Sequence, residues 1–389
     1  MATKVLVLGG YGTTGTILSE LLLEHGNADI VLAGRDLARA ERAAHALAGR
    51  YPGRVTATTC DAADAASLAG ALSGVGLVAV AASVLPHAQA IAEAALAAGA
   101  DYFDLLLSSP VKLTALERLR PRIEAEGRCF ITDGGIHPGL SAAMIRALEP
   151  AFGRLERADV GGLMKLDWAA YDFGHDTVME FVNELADYRI ETLHGGVWGK
   201  VAMRRAMRTI DFGSPFKAER CVPMALEELR LLPEHVPSLR DCGFYVAGFN
   251  PVVDNVIMPL GMVVMKVAPG LLAEPCAGVM SWALRRFARP PYGVVWRVEA
   301  AGRDTAGTPL GAVVRLEHAD GYWLTAAAAA CCLLQRLDGT LSDPGLHLQA
   351  LAVDPQRLLA DLQTMGVRLE ARGVALDTIL GKGAARPAE

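Results

Sequence analysis

Glycines at 10, 12 and 15 follow a short apolar run, Lys4-Val5-Leu6-Val7-Leu8, and open a stretch over 16–25 whose apolar residues recur at helical spacing. No other feature narrows the possible folds so far. A strand that runs into Gly-x-Gly-x-x-Gly and then a helix is the fingerprint of a dinucleotide site. Each glycine has its own expected role. Gly10 permits the tight turn, Gly12 lets the backbone approach a pyrophosphate, and Gly15 allows close packing of helix on strand. Tyr11, Thr13 and Thr14 fill the loop between them, and the phosphates are expected on the unpaired N–H groups where the helix begins.

The second strand, over 29–33, bears on which dinucleotide binds. It ends in Gly34-Arg35-Asp36. NAD sites usually place an acidic residue there, to accept from the ribose hydroxyls, whereas an arginine suits the 2′-phosphate of NADP. Arg35 therefore points to NADP(H), with Asp36 turning in for NAD as the alternative. Further strands are expected over 55–59, 77–81, 102–106 and 129–132, alternating with helices, which calls for an α/β doubly wound parallel sheet of Rossmann type. Asp61, just past the third strand, is placed beside the adenine or caps the next helix. The loop after the fourth strand carries Ala82, Ser83, Pro86 and His87 toward the nicotinamide half of the site.

A chain of 389 residues exceeds one ordinary core, so two domains are expected. Asp133-Gly134-Gly135-Ile136-His137-Pro138-Gly139 is turn-rich and marks the junction. It separates a dinucleotide-binding domain over 1–135 from a mixed α+β domain over 136–320 for substrate binding and dimerisation. A net charge of −6 gives no basic excess for nucleic acid. The seven cysteines show no Cys-x-x-Cys spacing and several sit in apolar runs, as expected of reduced thiols in a cytoplasmic protein. No leader segment is read at the N-terminus. The stretch over 256–287 is the most membrane-like, but Lys266, Glu274, Pro259, Pro269 and Pro275 interrupt it. A buried core segment or an apolar pocket wall is expected there. The basic flank of Arg285, Arg286 and Arg289 makes interfacial membrane contact the lesser alternative.

On these residues the chain resembles the saccharopine dehydrogenase family, in its saccharopine reductase-like branch. The resemblance is carried by Gly10-Tyr11-Gly12-Thr13-Thr14-Gly15, Ala33-Gly34-Arg35-Asp36 and Ala98-Gly99-Ala100-Asp101-Tyr102-Phe103-Asp104-Leu105. Pro138-Gly139-Leu140, Tyr322, Thr325, Leu337-Asp338-Gly339 and Met365-Gly366-Val367 extend it. It covers 1–145 well, 240–370 more thinly, and the middle poorly. It implies NADP(H), a second α/β domain, a C-terminal segment over 321–389 that returns to the Rossmann domain, and hydride transfer at a carbon bonded to nitrogen. Two positions depart from the family pattern: His137 stands where an acidic residue is common, and His87 where a tyrosine is. Both lie where substrate is expected.

Hydride delivery needs a group that settles charge on the acceptor nitrogen or oxygen, and histidine titrates in the useful range. His137, His87 and Asp104 are the catalytic candidates, each with a structural alternative in its own loop; Asp133 is read in the same way as Asp104. Arg204 and Arg208, four apart, would share a helical face with Lys200 and grip a substrate carboxylate. His175 and His194, with Asp172, Asp176 and Glu180 near the first, fit no metal-ligand spacing, so no metal is expected. An imine or opine derived from an amino acid is the expected small-molecule substrate. A lipid-like enoyl or carbonyl compound and a non-catalytic NADP(H) sensor are the alternatives, and a homodimer is the expected assembly.

Overall fold

The computed structural model describes residues 2–170, 175–185, 188–202 and 206–381. The chain divides into two compact units, Met1–Ala143 with Tyr322–Met365, and Met144–Gly321 with Gly366–Glu389.

The first unit is built on seven strands: β1 (Lys4–Leu8), β2 (Asp29–Gly34), β3 (Val55–Thr59), β4 (Leu77–Val80), β5 (Asp101–Asp104), β6 (Cys129–Thr132) and, much later in the chain, β15 (Gly345–Leu348). They lie in the order β15-β6-β5-β4-β1-β2-β3, and every neighbouring pair is parallel. Val5, Leu6 and Val7 of β1 and Ala79 and Val80 of β4 are fully buried. Such unbroken apolar strands are what a parallel sheet covered by helices on both faces requires. Each large aliphatic side chain so buried contributes about 1.5–3 kcal/mol of transfer free energy. Strand order reverses between β1 and β4, and the carboxyl ends of strands at such a switch point are where open α/β sheets bind ligands.

The fold of this unit is the expected α/β doubly wound sheet. Residues 322–365 return to it through β15, whereas β16 (Arg368–Arg372) pairs with β14 (Pro309–His318) of the second unit.

The second unit is a nine-stranded mixed sheet made of β7 (Arg154–Lys165), β8 (Glu191–His194), β9 (Val197–Lys200), β10 (Arg208–Asp211), β11 (Ala218–Met224), β12 (Asp241–Ala247), β13 (Gly293–Arg303), β14 and β16. Its main path runs β10-β11-β12-β7-β13-β14-β16, with β8 beside β12 and β9 beside β8. Only β12 and β7 run parallel; the other pairs are antiparallel. Trp296 is fully buried at its centre, with its ring centroid 5.9 Å from that of Phe244. Gly162 makes room for both rings, because a Cβ there would stand 2.9 Å from Phe244 Cζ.

Helices His175–Glu184, Met258–Val267 and Pro269–Phe287 form a separate apolar cluster around Val182, Met258, Met265, Met280 and Leu284. The stretch over 256–287 therefore departs from the expected buried segment. It buries one side only, and its opposite side faces solvent.

Candidate functional site

The turn after β1 is made by a different glycine from the one expected. Gly9 holds the left-handed backbone, φ +86°, and a Cβ on it would lie 2.8 Å from the Ala81 carbonyl and from Ala82 Cβ. Gly10 is needed for packing: its Cβ would come within 2.8 Å of Leu32 Cδ2. Gly15 seats the helix, since a Cβ there would collide with the Gly9 carbonyl. Gly12 is the N-cap of the Thr13–His25 helix and offers no side-chain cap. The first N–H groups of that helix are thus left to whatever anion lies over the loop. Because Ala81 and Ala82 press against Gly9, the loop after β4 is held beside the glycine turn, and Ser83 and Pro86 stand exposed on it.

The Tyr11 ring lies over Gly34, where an added Cβ would collide with the ring edge. The position that an NAD enzyme gives to an acidic side chain is therefore filled by an aromatic ring. The Asp36 N–H donates to the Tyr11 hydroxyl at 3.2 Å, while the Asp36 carboxylate accepts from the Arg39 N–H at 3.0 Å and caps the Leu37–Ala48 helix. Arg39 places its guanidinium 4.8 Å from the Tyr11 ring centroid. Arg35 is exposed, and no ion pair among the described residues engages it. Two cations beside a hydroxyl, with the nearby acid committed to a helix cap, fit the 2′-phosphate of NADP. Arg39 is not part of the glycine fingerprint, and its place four residues past Arg35 is the one signal the sequence offers for it. Asp61 shapes its own turn: its Oδ1 accepts from the Ala63 N–H at 3.0 Å and its N–H donates to the Ser67 hydroxyl at 2.9 Å. Asp64 is the residue that caps the following helix.

Asp104 and Asp133 close a buried network around Lys112, and all three side chains are fully inaccessible. Lys112 Nζ donates to Asp133 Oδ1 at 2.7 Å, to the Leu106 carbonyl at 2.9 Å and to Asp104 Oδ1 at 3.0 Å. The Thr132 hydroxyl donates to Asp104 Oδ2 at 2.7 Å. Burial alone would lower the Lys112 pKa, but the two carboxylates outweigh it and hold the ammonium above its ordinary value. Asp104 thus takes up the structural alternative its loop offers: it is enclosed, engaged on both oxygens, and ties the ends of β5 and β6 together.

His137 lies in the loop that follows β6, and burial lowers its pKa to about 4. It is a neutral imidazole near pH 7, suited to anchoring a substrate by hydrogen bond rather than to donating from an imidazolium. The loop is clamped by the buried Gln349. The Gly135 N–H donates to Gln349 Oε1 at 3.1 Å, and Gln349 Nε2 donates to the carbonyls of Gly135 at 2.9 Å and Gly139 at 3.0 Å. His87 precedes the Ala88–Ala97 helix without capping it through its side chain, and is partly exposed on the loop after β4.

In the second unit Lys200 and Arg208 do not lie on the helical face expected of them. Lys200 ends β9 and Arg208 opens β10, where residues alternate with the period of two that pairing with β11 demands. Arg204 lies outside the described residues. The Arg208 guanidinium pairs with Asp159 and stacks 4.6 Å from the Tyr245 ring centroid. Near the carboxyl ends of the parallel pair β7 and β12, Lys165 pairs with Glu219, and Asp254 follows nearby. Burial pushes Asp254 up to about 7, opposed by the Gly248 N–H and assisted by Glu219. A lone acid just before a long apolar run was its one sequence signal. His194 Nδ1 lies 2.6 Å from Asp241 at the surface, His175 opens its helix, and Asp172 lies outside the described residues. Among the described residues no cluster of ligands could hold a metal ion.

A fingerprint loop at the switch point of a parallel sheet, beside a second mixed-sheet unit, is the architecture of a dinucleotide-binding α/β protein. Residues 5–129 match the family described as the saccharopine dehydrogenase NADP binding domain. Residues 5–129 are thus similar to the NADP binding domain of that family, and the cofactor is NADP(H). No curated protein sequence matches the chain. Among solved structures it is similar to apo saccharopine dehydrogenase (L-Glu forming) from Saccharomyces cerevisiae, at 17% identity and a TM-score of 0.66. That match covers 96% of this chain and 100% of the yeast chain, so the fold is shared along its length. Pen from Bacillus thuringiensis is similar over 34% of this chain and 51% of its own, at 15% identity and a TM-score of 0.27.

Proposed function

We propose that this chain is an NADP(H)-dependent oxidoreductase that moves a hydride to or from a carbon bonded to nitrogen, in an imine or opine made from an amine and a keto acid. The observation that carries the cofactor assignment is the end of β2, with Gly34 covered by Tyr11, Asp36 spent on a cap, and Arg35 and Arg39 beside it. Support for the C–N chemistry comes from the fold, shared along its length with an enzyme described as a saccharopine dehydrogenase. NADP(H), when bound, would supply the hydride for the reduction or accept it in the reverse oxidation. The chain's own part is to hold the pyrophosphate on the Thr13–His25 helix, grip the 2′-phosphate, and fix the loops that follow β4 and β6.

Positioning of this kind supplies much of an enzyme's acceleration. His137 and His87 are the proposed substrate contacts in the first unit, and the Lys112 network with Gln349 keeps the β6 loop in place. The test is NADPH consumption, followed by its near-ultraviolet absorbance, with amines and keto acids supplied singly and in pairs. Turnover that requires both partners is expected. Consumption with a lipid-like enoyl or carbonyl acceptor and no amine would overturn the C–N assignment. Saturable NADPH binding without consumption of any acceptor would make the chain a sensor.

A further inference from the structure

The helices Met258–Val267 and Pro269–Phe287 each pack one side into the apolar cluster of the second unit, through Met258 and Met265 on the first and Met280 and Leu284 on the second. Their other sides also carry large apolar residues. Leu260, Val263 and Val267 fall three and four residues apart, so they share one outer face of the first helix. Leu271, Val279 and Trp282, eight and three residues apart, are the large exposed apolar residues along the second. Exposure is greatest where the helices join: Val267 is 79% and Leu271 82% accessible, and Trp282, three turns further on, is still 57% accessible. Isolated exposed hydrophobics are ordinary, but an apolar face continued across two successive helices marks an interaction surface.

The charges around this face indicate the partner. Lys266, Arg285, Arg286 and Arg289 are all exposed, and over 256–289 only Glu274 opposes them. This cationic rim belongs to a chain whose net charge is −6, so it is a local feature. Lys266 borders Val263 and Val267, while Arg285 and Arg286 lie one turn beyond Trp282. Each cation therefore flanks apolar surface and can keep its head in water while its stem follows the greasy side. A second copy of the chain would bring the same cations together across a two-fold contact, whereas an anionic lipid surface complements them. No helix among the described residues is long and apolar enough to cross a bilayer, which leaves the interfacial mode.

We propose that the outer face of these two helices docks on anionic membranes, with Val267, Leu271 and Trp282 entering the headgroup boundary and Lys266, Arg286 and Arg289 held by lipid phosphates. Docking is independent of the reaction assigned above. The test is co-sedimentation of the full chain with phosphatidylcholine vesicles that contain or lack phosphatidylglycerol. Binding is expected to the anionic vesicles, to weaken with salt, and to be far poorer on phosphatidylcholine alone. Val267→Glu combined with Leu271→Glu should abolish it while NADPH binding and the melting temperature stay unchanged. Lys266→Gln and Arg286→Gln should each weaken it about fivefold. Failure to bind anionic vesicles overturns the proposal. So does light scattering that shows a dimer dissociated by Leu271→Glu, since the face would then be covered by a second copy.

Discussion

The first unit hides a lysine and two aspartates in its interior, whereas the second leaves leucine, valine and tryptophan in water. Each arrangement inverts the usual partition, and each has its own physical reason. Lys112 survives burial because two carboxylates and a backbone carbonyl accept hydrogen bonds from its ammonium, which stays charged. Val267 and Leu271 stay outside because their helices meet a core on one side only. Charge is thus tolerated inside where geometry neutralises it, and apolar surface is tolerated outside where a second face already anchors the element.

The comparison breaks most visibly at Lys112. Lys112→Met strands two carboxylates in the interior and should cost about 3–5 kcal/mol in urea-induced unfolding. A loss below about 1 kcal/mol would mean that the network contributes little to the first unit. Arg35 presents the opposite situation, a cation with no ion pair among the described residues and so available to a ligand. Arg35→Ala should weaken NADPH by a factor of about ten to a hundred, from the loss of a charge-assisted contact, and leave NADH nearly unchanged. Isothermal titration with both nucleotides checks this, and equal losses would remove Arg35 from the 2′-phosphate.

His137 shows what burial does to a titratable group. Its folded pKa, about 4, lies below the unfolded value near 6.5. Its contribution to stability is therefore complete above 6.5 and is lost as pH falls toward 4. His137→Gln should flatten that limb of a melting temperature against pH profile, and an unaltered limb would assign it to other groups. The smallest effect belongs to the outer helical face. Val263→Ser should change stability by no more than about 0.5 kcal/mol, because the side chain already lies in solvent. A larger loss in thermal unfolding would show that this face packs against something in solution.

The Rossmann sheet, its switch point and the arginine at the end of β2 were legible because they depend on local pattern: an apolar strand, glycines at fixed offsets and an acid missing from one position. Gly9 is not marked by that pattern, because its φ and its contact with Ala81 depend on a strand far along the chain, β4. Lys112 reads locally as an ordinary helix cation, and only the fold brings Asp104 and Asp133 to it. Gln349 is likewise remote in sequence from the glycines it clamps. Lys200 and Arg208 suggested a helical face by their spacing, but one ends β9 and the other opens β10, each fixed by pairing with a strand remote from that pattern. Hydropathy over 256–287 counted apolar residues correctly but carried no information on which side would find a neighbour.

β15 and Gln349 come from a part of the chain that the ribosome delivers only after the whole interval from 144 to 321. A nascent chain that has not reached residue 345 exposes β6 as an open sheet edge and leaves the glycines at 135 and 139 unclamped. The nucleotide-binding unit is thus begun before the second unit is made and completed only after most of it. Until then its unpaired strand is the natural place for a chaperone to bind, or for aggregation to begin.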